Sequence, residues 1–169
     1  MELVKLVLLT LAFIAGYGAV FGEASALLCP EAFAEDGASS ALLVGPLKMM
    51  IEFLTPGVVI GLAIAFAANI GERPALKAFF FVRPLITLTV FNVCIATIGG
   101  LIGYFATKNG AYEVVGSIAR LLPPDRHPAL GASWWALLAS FAAIFMGGIS
   151  VASWTWQKRA YFEKILSKK

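Results

Sequence analysis

The stretch from Ala78 to Ala106, AFFFVRPLITLTVFNVCIATIGGLIGYFA, decides what kind of molecule this chain makes. Past Arg83 it reaches Ala106 without a charged side chain, which is longer than the roughly 20 apolar residues that carry an α-helix across the hydrocarbon of a bilayer. It does not alternate apolar and polar residues as a barrel strand would. Three more runs behave alike: Leu3 to Phe21, Phe53 to Ile70 with a lead-in from Ala41, and Ala132 to Trp156. A chain of 169 residues that is 60% hydrophobic and 14% charged, with mean hydropathy +0.85, has more apolar side chains than a soluble core of that size can enclose. The sequence therefore predicts one all-α domain, an integral membrane four-helix bundle. Its spans are expected at about 3–22, 41–70, 78–106 and 132–157, with a short external interfacial helix and a basic tail over 158–169.

The first run also carries the features of a secretory signal peptide: Lys5 near its start, an apolar centre, and Glu23-Ala24-Ser25-Ala26 as a small-residue cleavage site. It is read here as a retained first span. Basic residues favour the cytoplasmic side of a membrane. They gather in the connection Gly71 to Lys77 and after Trp156, whereas the first connection holds Glu23, Glu31, Glu35 and Asp36 and no basic residue before Lys48. The expected topology has both termini in the cytoplasm. Trp134 and Trp135 begin the last span and Trp154 and Trp156 end it, about 30 Å apart at the helical rise, so they read as anchors at the two membrane interfaces.

The external connections show local patterns. In Tyr112 to Leu122 the polar residues Glu113, Ser117 and Arg120 recur at helical spacing, with Val115, Ile118, Ala119 and Leu122 on another face, which predicts a surface helix stopped by Pro123-Pro124. Cys29-Pro30 and Glu35-Asp36-Gly37 read as loop, with Ser39 or Ser40 capping the next helix.

Between lipid-embedded helices apolar burial gives little net gain, so close approach through small residues carries association. Gly18 and Gly22, Gly57 and Gly61, and Gly99 and Gly103 are spaced four apart in the first three spans, and Ala139, Ala143 and Gly147 repeat that spacing in the fourth. Gly148 and Ala152 lie on another face of the fourth span, which the pattern leaves for a partner. The partners implied are the lipid bilayer, another membrane protein or a second copy of this chain, and anionic lipid at the C-terminal tail; nothing points to nucleic acid.

Candidate functional residues come from polar groups inside apolar runs. In PLKMMIEFLTPG, residues 46–57, Lys48 and Glu52 stand four apart and can pair, and Pro56 cannot bond the Glu52 carbonyl. With Arg83 and Asn92 they form a candidate polar pathway or partner contact. Thr89, Asn92 and Cys94 or Thr97 fall roughly along one face and are read chiefly as bonds between helices. His127 is the only histidine and Cys29 and Cys94 the only cysteines, so the chain has no obvious metal site and no cofactor is expected. Asp125-Arg126-His127 reads as a solvated turn before it reads as an acid–base cluster. No catalytic residue is assigned. The expectation is a non-enzymatic accessory or scaffold subunit of a membrane complex. A small oligomeric channel or transporter using Glu52, Lys48, Arg83 and Asn92 is the alternative, and a membrane enzyme the third reading.

Overall fold

A computed structural model describes residues 2–36, 41–71 and 73–167; Met1, Gly37, Ala38, Ser39, Ser40, Glu72, Lys168 and Lys169 lie outside the described residues, as do the side chains of residues 34–36. Among the described residues every regular element is helical. The helices are α1 (Glu2–Leu28), α2 (Ala41–Asn69), α3 (Val82–Lys108), α4 (Ser117–Leu121) and α5 (His127–Leu166), with 3-10 turns at Pro30–Asp36, Ala78–Phe81 and Pro124–Arg126. Four of them are long and apolar enough to cross a membrane.

Their limits differ from the expected spans for local reasons. Helix α1 continues through Glu23-Ala24-Ser25-Ala26, burying Ser25 and Ala26, so those small residues sit inside a helix. Pro46 and Pro56 are both accommodated within α2, and Pro56 is buried. The loop expected after Cys29-Pro30 is a 3-10 turn. The short helix before Pro123 is shorter than the spacing suggested: residues 112–116 are not helical, and Gly116 at φ +126°, a conformation glycine adopts readily, starts only the five residues Ser117–Leu121. As a result Val114 is buried and Val115 exposed, the reverse of a continuous helical face.

The packing is two antiparallel pairs joined along a third seam. Helix α1 lies against α2, α3 against α5, and α2 alongside α5, while α1 and α3 touch little. A methyl group built on Gly18 would lie 2.9 Å from the Met49 carbonyl oxygen, and one on Gly22 would overlap the Gly45 backbone. Gly57 and Gly61 face Ile14 and Thr10 of α1. On the other pair, a methyl group on Gly99 would lie 2.5 Å from the Ala139 side chain and one on Gly103 would lie 2.5 Å from the Gly131 carbonyl oxygen. The α2–α5 seam is parallel: Phe53 stacks against Phe141 with centroids 5.0 Å apart, and Ile60 fills the space beside Gly148. Gly148 is therefore spent inside the molecule, so the part of α5 expected to be left for a partner meets α2, while Gly147 receives Leu88 of α3. Ala143 is fully buried.

Candidate functional site

The polar residues singled out by the sequence are not brought together. Lys48 is exposed and Glu52 half-buried on the half of α2 nearest its N-terminus, and the two make no ion pair. Arg83 is exposed in the first turn of α3, at the opposite end of the molecule. Asn92 is 2% exposed and lines a small space with Phe13, Ile14, Tyr17 and Ile144. Its Oδ1 atom has no hydrogen-bond partner among the described residues. Nearby, the Tyr17 hydroxyl and Ser140 Oγ are 2.7 Å apart, joining α1 to α5 by a buried polar contact. The two threonines expected to bond across helices, Thr89 and Thr97, instead donate to the carbonyls of Leu85 and Val93 in their own helix, as Thr87 does to that of Arg83. A β-hydroxyl in a helix reaches the carbonyl four residues back without leaving its own backbone.

The residue that sequence reasoning missed is Arg159. It was grouped with the basic tail on a lipid surface, yet its side chain is completely buried. Its guanidinium donates from Nη1 to the Ala67 and Ile70 carbonyls at 2.8 and 2.7 Å, from Nη2 to the Arg73 carbonyl at 2.6 Å, and from Nε to the Pro74 carbonyl at 3.0 Å. Helix ends leave carbonyls without intrahelical donors, and a positive charge is favoured there. No basic residue occupies the last turn of α2, so α5 supplies the charge from 85 residues or more downstream. Around it, Arg73 pairs with Glu163 at 3.0 Å and lies over the Trp156 ring at 4.7 Å.

At the other end, Arg126 makes two bonds of 3.1 Å to the Glu31 carboxylate, and His127 Nε2 lies 3.0 Å from the Ala119 carbonyl oxygen and 3.3 Å from that of Leu122. Carbonyls only accept, so the imidazole donates from Nε2 and closes the end of α4. Asp125 is exposed, and the three side chains of Asp125-Arg126-His127 do not converge on a common point. The sequence suggested a solvated turn; Arg126 and His127 instead pin the segments around Pro30 and α4 over an apolar cluster of Cys29, Val114, Ala119, Leu122 and Leu130. Burial raises the Cys29 thiol above its ordinary value, which suppresses the reactive thiolate.

The Arg126 hydrogen bonds hold the Glu31 carboxyl below its ordinary value of 4.5. A lowered carboxylate contributes its stability in full above the ordinary value and loses it as the pH falls through the lowered one. Both side chains are more than a third exposed, so solvent screening keeps the contribution of the pair small. Comparing thermal unfolding of the wild type and Glu31→Gln in detergent should therefore show a small wild-type advantage at neutral pH that disappears in acid. A difference independent of pH would contradict this account.

The four tryptophans form two pairs along α5, Trp134 and Trp135 about two turns in from its start and Trp154 and Trp156 about three turns before its end. Trp134 is 38% and Trp156 49% exposed, Trp135 meets Tyr112 edge-on at 5.7 Å, and Trp154 meets Phe81 edge-on at 6.3 Å. An apolar cleft of about 350 Å³ separates α1 from α3 and includes Tyr17, Phe21, Ala96 and Tyr104 in its lining. Among the described residues no group of three or more His, Cys, Asp or Glu side chains is placed to hold a metal ion. No protein-family model matches the chain, and no curated protein or solved structure is significantly similar to it.

Proposed function

We propose that the chain is an integral membrane protein, a four-helix bundle with both termini on the cytoplasmic side. In this reading it serves as a non-enzymatic accessory or scaffold subunit that docks another membrane protein along the flank of α2 bearing Lys48, Glu52 and Thr55. The supporting observation is the position of Glu52. Because Phe53 is level with Phe141, Glu52 is level with Ser140, six residues beyond Trp134 along α5, or about 9 Å below the outer tryptophans. An ionised carboxylate in hydrocarbon costs roughly 2.5 kcal/mol or more when centrally placed, and such residues ordinarily find a partner charge or a polar cavity. Glu52 has no ion-pair partner among the described residues, and Thr55 beside it is exposed. A group on a neighbouring subunit resolves that cost. Lys48, one turn nearer the outer tryptophans, reaches the headgroups along its own stem.

A pathway through one copy of the chain is less well supported, since Asn92 is buried beside a small, mostly apolar space and Arg83 faces a different one. The polar atoms of Arg126, His127 and Arg159 bond the protein itself, which favours scaffolding over catalysis. A photo-crosslinking side chain at position 55 should capture one defined membrane protein in native membranes, and the same probe at the exposed Ile98 of α3 should not. Glu52→Gln should weaken that capture by about ten-fold or more, the equivalent of one charge left unmatched in the membrane. Equal capture from both positions, or capture insensitive to Glu52→Gln, would refute the docking reading.

A further inference from the structure

A trough of about 740 Å³ opens between α3 and α5 at the Arg159 end of the molecule. Leu88, which is buried, and Gly147 against it form the bottom, with Phe91 one turn farther along α3 and Ser150 between Gly147 and Lys158 on α5. Both cations in its lining, Arg83 and Lys158, are exposed, and among the described residues no acidic side chain lines it. Neither cation belongs to an ion pair among the described residues; the nearby Glu163 is taken by Arg73. Lys158 Nζ stands 5.9 Å from the centre of the Trp154 ring, so the positive charge is at the level of the second pair of tryptophans. From that level the lining runs along α3 from Arg83 to Phe91, about 12 Å, and back along α5 from Lys158 to Gly147, about 16 Å.

We propose that this trough holds one anionic phospholipid, with its phosphate between Arg83 and Lys158 and one acyl chain laid over Leu88 and Gly147. This goes beyond the subunit role and needs only that α3 and α5 lie in a bilayer. Basic pockets between membrane helices on the inner side select anionic headgroups, and two cations at the interface attract them strongly. The charge alone would suit a free phosphate equally well. What favours a lipid is the apolar trough continuing from the cations toward the middle of the helices, which a soluble anion would leave empty. The site is separate from the general attraction of the tail, from which the burial of Arg159 removes one charge.

The test uses the full chain in nanodiscs of phosphatidylcholine with a minor fraction of phosphatidylglycerol, extracted into mild detergent and weighed by native mass spectrometry. The wild type should retain one phosphatidylglycerol. Arg83→Gln with Lys158→Gln should lower its occupancy by about ten-fold or more, whereas Lys164→Gln with Lys108→Gln, the same change of charge elsewhere, should leave it unchanged. Ser150→Trp, which fills the trough without altering charge, should lower it as well. Should the double glutamine variant not fold, Arg83→Lys with Lys158→Arg keeps the charge and should keep the lipid. Wild-type occupancy in Ser150→Trp or in the folded double glutamine variant would overturn the proposal. So would equal loss in the Lys164 and Lys108 control, or binding of glycerol 3-phosphate as tight as that of the lipid.

Discussion

Arg159→Ala is expected to destabilise the packed chain in detergent by on the order of 3–5 kcal/mol. The substitution removes the donors for four backbone carbonyls in a place where the side chain has no exposure. Each buried acceptor left without a donor costs about 1–3 kcal/mol, and charge-assisted bonds lie at the upper end of what a hydrogen bond contributes. The damage should be local as well as global. The carbonyls belong to the end of α2 and the connection to α3, so hydrogen exchange and proteolysis should rise first in residues 70–77. Arg159→Lys keeps the charge but not the fork that reaches several oxygens at once, and should fall between wild type and alanine. An alanine variant with wild-type unfolding would mean that water satisfies these carbonyls and that α5 does not hold the connection.

Gly22→Ala is the second change expected to have a large effect, although it adds a single methyl group. That methyl would overlap the Gly45 carbonyl oxygen and lie 2.6 Å from the Gly45 carbonyl carbon and 2.8 Å from the Pro46 Cα. All three are backbone atoms that no rotamer change can move, so α1 and α2 must separate. Overpacking of this kind costs about 1–3 kcal/mol, and Gly22→Leu should cost more. Gly16→Ala provides the comparison in the same helix. Nothing lies within 4 Å of its added methyl, so only helix propensity changes, and stability should rise by up to about 0.5–1 kcal/mol. Unfolding of the three variants in one detergent tests the contrast. Equal behaviour of Gly22→Ala and Gly16→Ala would mean that the close approach at Gly22 does not hold the helices together.

The neighbouring residues Lys158 and Arg159 show where sequence reading stops. As consecutive letters of a basic tail they are indistinguishable, yet one is exposed at the trough and the other fully buried under α2. A helix turns by about 100° per residue, so adjacent side chains face different surroundings, and which surroundings depends on what α5 lies against. A signal was available: α2 ends with no basic residue in its last turn, so its terminal carbonyls needed a donor from elsewhere. That Gly45 would stand opposite Gly22 had no signal of its own, because a lone glycine beside Pro46 reads as punctuation. The candidate pathway of Lys48, Glu52, Arg83 and Asn92 rested on residue type and on spacing within single helices, and the depth and rotation of each helix place its members apart.

Four helices long and apolar enough to cross a membrane could be read from the letters, because that property is a sum along one continuous segment and needs no knowledge of its neighbours. Tertiary structure alone decided that α5 packs between α3 and α2, that Arg159 closes the end of α2, and that Arg126 and His127 fasten the opposite end. Those outcomes depend on register and rotation between segments far apart in the chain. At close range a backbone carbonyl or a glycine can be met by side chains from any of them, and the pairing is settled only when the helices pack.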